Sequence, residues 1–492
     1  MGTRAWALLL VLCGTIFLEG IDVAMLGIAI PSIRADLGLT TGAAAWVMSA
    51  YVLGYAGFTL LGGRAADLLG RRRMFLGGLV VFLVFSGLGG VGTEGWMLIV
   101  SRFVTGMAAA FMTPAALSLI TTSYEEGPQR NKALLIFAGT GAGGFSLGLV
   151  IGGLLTQIGW RWVFFAPVIL AGAILVAAVR LVPRDPAAMR EARRGGFDIA
   201  GAVTAASAML LAAYTVVRLE HGLRDWPVTL ASALGALLSG AVFVAVERRS
   251  GAPLVRLGIL RNAATVRADL GALLFLGAFF GFQFVATLYL QELRGWSSLQ
   301  TAVALIAMGV DAVLAPTLTP RLVERYGNAK VVLGGFLLAT LAYALFLPVG
   351  MDWTYAAMFP TLILAGVAFA LAYGPLTIAA TDGVAAHEQG LAGGLLTTAT
   401  QFGSAVGISA VTAVYGLASA GADPADPAET LSAFRVALAV PVVMVALGAL
   451  VAALSVRAAR REVRSASQVS MVSASQTSVN PAQRSAGIAS RK

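Results

Sequence analysis

Apolar residues in this chain do not alternate with polar ones. They come in long runs separated by short polar clusters. The first run starts at Ala5 and lasts to Ile33, and comparable runs recur as far as Val456. A helix of about 20 apolar residues crosses the roughly 30 Å hydrocarbon core of a bilayer. A membrane barrel would instead alternate over segments of about ten residues, and no such alternation is visible. The pattern predicts fourteen spans, at about 5–33, 44–63, 74–92, 96–121, 133–156, 162–182, 199–217, 227–246, 268–290, 301–318, 331–349, 355–378, 391–417 and 433–456. The fold class is therefore an all-α integral membrane protein. The first run is too long for a signal peptide and no small-residue cleavage site follows it, so it reads as a retained helix.

Composition agrees: 58% of residues are hydrophobic and 12% charged, about half the charged share of a soluble domain. Charge then supplies the orientation. With both termini on one side, the segments on that side hold 27 of the 34 Lys and Arg, the opposite side holds six, and Arg102 lies within the membrane. The positive-inside rule puts both termini in the cytoplasm, and the abundance of Arg, Ala and Gly suggests a bacterial inner (plasma) membrane. The net charge of +10 then faces anionic lipid. No aromatic-interleaved basic patch points to nucleic acid. Cys13 is the only cysteine, which excludes a disulfide within the chain and a Cys-based metal site. His221 and His387 stand far apart in loops, and neither a metal nor a cofactor is expected. The segment 457–492 turns rich in Ser, Ala and Gln with no apolar period and reads as a disordered tail.

Against this background the intramembrane charges stand out. Glu19 and Asp22 are three apart in the first span and share a helix face. Acids at membrane depth nearly always face a cavity or a partner. Two carboxylates so close resist simultaneous ionisation, so one of them is suited to load and release protons. Arg102 in span 4 is the natural counter-charge. Asp311 in span 10 has no basic neighbour at helical spacing and should face a cavity, as a second proton carrier or a lure for a cation. The plain alternative is a structural ion network. Aromatic and amide side chains suit an apolar or planar ligand: Tyr51 and Tyr55 in span 2, Phe282 and Gln283 in span 9, Tyr373 in span 12 and Gln401 in span 13. Simple helix packing is the alternative for each aromatic.

Between spans 2 and 3 stands GGRAADLLGRRRMF, residues 62–75. Gly63 and Gly70 permit tight turns at helix ends. Asp67 sits among Arg64, Arg71, Arg72 and Arg73. It is either a counter-ion in a basic cluster or a gate latch that caps a neighbouring helix N-terminus or pairs with an arginine. The spacing Gly63-x-x-x-Asp67-x-x-Gly70-Arg71-Arg72 resembles the signature loop of the major facilitator superfamily. With fourteen spans, the chain resembles that superfamily's drug:proton antiporter branch over about residues 5–456. DVAMLGIAIP (22–31), LIVSRFVTGMAAA (98–110), GWRWVFF (159–165) and YLQELRGWSSLQTA (289–302) are similar to that branch. GFSLGLVIGG (144–153) resembles the antiporters' fifth-helix motif through Gly144, Gly148, Gly152 and Gly153, with Leu149 where the family has proline.

PRLVERYGNAK (320–330) echoes GRAADLLGRRR (63–73), with Glu324 over Asp67, Gly327 over Gly70 and Lys330 over Arg73. That echo fits two parallel six-helix halves, 1–182 and 268–456, around a linker with two inserted spans, 183–267. The basic stretches 183–198 and 248–267 are expected as amphipathic segments at the cytoplasmic surface. The resemblance implies a major facilitator fold in a 6+2+6 arrangement. It also implies proton-coupled export of hydrophobic, in some cases cationic, drugs or antibiotics by alternating access. In such antiporters the glycine ridge packs span 5 against the second half. The expected partners are a small-molecule substrate, protons and the bilayer, with a monomer as the working unit. Two rivals are a dedicated exporter of a self-made metabolite and a non-transporting sensor or scaffold. No nucleophile–base pair, metal cluster or phosphate loop points to an enzyme.

Overall fold

A bilayer cannot hydrogen-bond backbone groups, so apolar runs of this length are driven into helices, and in the computed structural model fifteen α-helices dominate among the described residues. It describes residues 2–39, 41–184, 199–219, 226–250, 257–385, 388–419 and 426–478. The helices are α1 (Thr3–Leu37), α2 (Thr41–Leu69), α3 (Arg71–Gly90), α4 (Gly95–Ser123), α5 (Pro128–Ile158), α6 (Trp162–Leu181), α7 (Ile199–Leu219) and α8 (Trp226–Arg249), followed by α9 (Ala263–Leu288), α10 (Ser298–Leu305), α11 (Asp311–Tyr326), α12 (Asn328–Phe346), α13 (Tyr355–Thr381), α14 (Gln389–Ala418) and α15 (Pro427–Ser478). A 3₁₀ turn, Ile306–Val310, joins α10 to α11, so these two are halves of one broken span. Among the described residues twelve segments are long and apolar enough to cross a membrane. The 29-residue α2 and α7, with its shorter apolar stretch Ala200–Val216, complete the fourteen.

The two halves repeat one packing scheme. α1 lies along α5, α3 along α4 and α6; correspondingly α9 lies along α14, and α12 along α13 and α15. Small residues let these helices touch. A Cβ on Gly407 or Gly403 of α14 would collide with the α9 backbone at Gly277 and Leu273, and one on Gly106 of α4 with Tyr51 of α2. The inserted pair stands outside this scheme. α7 packs on α2 and also reaches α14, while α8 turns Leu230, Leu234, Leu237 and Leu238 outward.

Three expectations change. Gly63 does not make a turn: it lies inside α2, where a Cβ would press on Gly394 of α14. The turn belongs to Gly70, whose φ of 109° precedes α3. The ridge of Gly144, Gly148 and Gly152 faces α1, not the second half. A Cβ on each would meet, in turn, Phe17, Ile21 with Ala24, and Met25. It is Gly139 and Gly143 that face α11, and Gly153 that faces Leu299 of α10. Finally, α15 does not end near 456 but continues to Ser478. No Gly or Pro interrupts 457–478, so a helix already nucleated in the membrane can propagate outward. Residues 479–492, His221, His387, residues 185–198 of the first predicted amphipathic stretch and 251–256 of the second lie outside the described residues. Of the second stretch, Leu257–Arg261 forms a 3₁₀ turn.

Candidate functional site

Glu19 and Asp22 sit near the midpoint of α1, and α2 and α4 close over them. Since α1 runs against both neighbours, their residues pair in reverse order along the bundle. The outer rung holds Asp22, Arg102 and Tyr51; the rung nearer the N-terminal end holds Glu19, Tyr55 and Thr113.

On the outer rung Arg102 Nη1 donates to Asp22 Oδ2 at 2.6 Å, with both side chains 2% exposed. The guanidinium lies 4.4 Å from the centre of the Tyr51 ring, a cation–π contact that a dry site strengthens. The enclosed Tyr51 hydroxyl has no hydrogen-bond partner among the described residues. This is a charge-assisted pair in a low-dielectric setting, where removing one member strands the other.

The inner rung is built differently. Tyr55 Oη donates to Glu19 Oε2 at 2.9 Å, and Thr113 Oγ1 donates to Glu19 Oε1. No Lys or Arg pairs with Glu19 among the described residues. A hydroxyl can also turn and accept a proton. Two hydroxyls therefore serve both the ionised and the protonated acid, which the fixed guanidinium beside Asp22 cannot. Tyr373 of α13 is half-buried, within electrostatic reach of Glu19, and its ring leans on Phe369 at 5.2 Å. The site thus draws on both halves.

The other predicted site residues are scattered. Asp311 begins α11 directly after the 3₁₀ break, is 1% exposed, and its Oδ2 has no hydrogen-bond partner among the described residues. It does not join the α1 cluster. Phe282 is fully buried, stacked on Tyr343 at 4.5 Å in the second half's core. Gln283 and Gln401 are half-buried. Tyr51 and Tyr55 belong to the acid cluster itself. Sequence reasoning missed Thr113. The available signal was its spacing: eleven residues from Arg102 is three helical turns, hence the same face of α4. Among the described residues no three of His, Cys, Asp and Glu gather as a metal site.

At the end of the bundle where loop 62–75 lies, Asp67 caps α14. Its Oδ1 accepts from Gly390 N at 3.0 Å and its Oδ2 from Leu391 N at 2.9 Å. Arg71 Nη2 stands 3.4 Å from Oδ1. Burial raises the Asp67 carboxyl to about 6, against the pull of Arg71 and the two N–H groups. Arg72 donates to the carbonyls of Val179 and Val182 at the end of α6, at 2.7 and 2.9 Å, and Arg73 is exposed. The sequence echo ends here, because Glu324 is exposed. Beneath loop 62–75, a cavity of about 760 Å³ is lined by Arg4, Arg71, Tyr124, Glu126 and Arg184.

Two like-built bundles of six helices, joined at a seam that holds buried acids, define a membrane transporter. Residues 12–408 match the Major Facilitator Superfamily, and the chain belongs to that family. It is 33% identical over 458 residues to the puromycin resistance protein pur8 of Streptomyces alboniger, covering 89% of this chain and 88% of that one. It is 32% identical over 411 residues to the lincomycin resistance protein of Streptomyces lincolnensis, covering 83% and 84%. In fold it is similar to the human organic anion transporter MFSD10, with a TM-score of 0.65, 15% identity, and 92% of this chain and 100% of that chain covered.

Proposed function

We propose that this protein exports hydrophobic, in some cases cationic, drugs or antibiotics in exchange for protons, with loop 62–75 and both termini in the cytoplasm. The resistance proteins it resembles support the substrate class. The observation that carries the coupling is the contrast on α1: two carboxyls one turn apart, one locked to an arginine and one held only by hydroxyls. A proton arriving from outside meets the Asp22–Arg102 rung first. Protonating Asp22 dissolves the ion pair, and the proton can pass inward to Glu19. A neutral Glu19 no longer attracts a cation, so substrate leaves outward; proton release inside resets the site. Asp311 is available for a second proton or for a cationic substrate.

The test is dye-driven proton flux in proteoliposomes with an imposed pH gradient, comparing wild type with Glu19→Gln and Asp22→Asn. Coupled antiport predicts flux in wild type and none in Glu19→Gln. Unchanged flux in Glu19→Gln removes that residue from the proton path. Flux with one metabolite but none across a drug panel favours a dedicated exporter. No flux with any compound favours a non-transporting protein.

A further inference from the structure

The Asp67 cap is half of a larger grip on the second half. α13 ends at Thr381 and α14 starts at Gln389, and the first half holds both of these helix ends. Asp67 takes the N-terminal end of α14. At the other end Arg130, in the first turn of α5 and 4% exposed, donates from Nη2 to the carbonyl of Thr381 at 3.2 Å. Thr381 is the last residue of α13, so no further turn of helix supplies an N–H to this carbonyl. Gln389 Nε2 reaches the same oxygen at 3.1 Å, from within the second half. Arg130 is aimed by Glu126, whose Oε1 accepts from Nη1 at 2.9 Å.

The signs match the helix dipoles. An acid sits at the positive start of α14 and a base at the negative end of α13, and exchanging them would be repulsive at both ends. Glu324, the counterpart of Asp67 in the second half, is exposed. Contact continues down the seam, where Leu135 of α5 lies over Gly374 of α13.

We propose that Arg130 is a positioning residue of the gate: with Asp67 it clamps the end of α13 and the start of α14 and holds the cytoplasmic side closed. Opening to the cytoplasm must break both contacts in one transition, so each adds to the closed state. The inference rests on alternating access, not on the substrate or on proton coupling.

Spin labels at Arg184→Cys, three residues past the end of α6, and at Glu324→Cys in the second half, both exposed, report closure as a distance in the full chain carrying Cys13→Ala. Arg130→Gln should raise the ratio of long to short distances about tenfold, the factor of one charge-assisted hydrogen bond. Arg130→Lys, which keeps the charge but not the fork, should fall between. Asp67→Ala, which removes both acceptors of the α14 cap, should act in the same direction, and the double variant should multiply the two effects. Gln389→Ala, whose bond stays within the second half, should leave the ratio unchanged. A distribution unmoved by Arg130→Gln or Arg130→Lys while Asp67→Ala shifts it overturns the role of Arg130. An equal shift in Gln389→Ala would mean that turn integrity, not a clamp, is what Arg130 supports. No shift in any variant would remove the closed gate itself and leave the transport reading to the flux assay.

Discussion

Glu19 and Asp22 share one helix face, yet their surroundings demand different chemistry. Asp22 cannot lose its partner cheaply: a buried charge stranded by deletion costs about 3–5 kcal/mol. Arg102→Ala should therefore lower the melting temperature strongly, and adding Asp22→Asn should recover much of the loss. If the double variant melts no higher than the single, the pair is not the source of the penalty. Glu19 depends on two hydroxyls. Tyr55→Phe keeps the ring against Tyr51, whose centroid is 5.8 Å away, and removes only the donor. Transport should slow about tenfold, the loss of one hydrogen bond to a charged acceptor, with the melting temperature nearly unchanged. The Asp22–Arg102 pair was legible in the sequence because Arg102 is a base deep within a span and has an acid to meet. The Glu19 rung was not. Its donors are a tyrosine, read as substrate lining, and a threonine, and neither looks chemical until α2 and α4 place it.

Helix packing decides what spacing alone leaves open. Gly144, Gly148 and Gly152 announce a smooth ridge, but periodicity names a face and not the neighbour that covers it. Here the neighbour is α1, the helix that carries both acids. A Cβ at Gly148 would come within 2.8 Å of Ala24 Cβ and Ile21 Cα. Gly148→Val should therefore push α1 off α5 and destabilise the protein by about 1–3 kcal/mol, read as a lower melting temperature. Gly153→Ala, which meets only Leu299 at an ordinary 3.5 Å, should be silent. The loop signature likewise revealed Asp67, but its partner lies more than three hundred residues away in sequence. Burial lifts that carboxyl to about 6 from its ordinary 3.8, the value it regains when the gate opens to water. The closed state thus binds the proton more tightly. Closure is strongest at low pH and weakens as pH rises through about 6. The fraction closed, read by the same pair of labels, should grow as the pH falls from 7 to 5 and stay flat from 7 to 8. Asp67→Asn should abolish the dependence.

At the scale of the molecule the question is what the inserted pair does when the halves move. The count of fourteen spans could be read from hydropathy, because each span must satisfy the bilayer alone, and the 6+2+6 order from the echo of 63–73 in 320–330 and the family resemblance. Where the pair sits could not, since its lipid-facing leucines carry no address. In the structure α7 bridges the seam. Leu210 fills the space over Gly57 of α2, and Tyr214 stacks on Trp46 of α2 at 6.0 Å. Toward the second half, Ser409 of α14 donates to the carbonyl of Val216 at 3.0 Å. Alternating access cannot keep α7 fixed to both halves. Interlocked side chains resist sliding more than one hydrogen bond does, because repacking a dense interface disturbs every neighbour. The pair should therefore travel with the first half and slip against α14. In a Cys13→Ala background, a thiol cross-link between Gly57→Cys and Leu210→Cys should leave transport running. A cross-link between Val216→Cys and Ser409→Cys should stop it, and reduction should restore it. If the first cross-link blocks and the second does not, α7 belongs to the second half. If both block, the pair is a hinge that must move against each side.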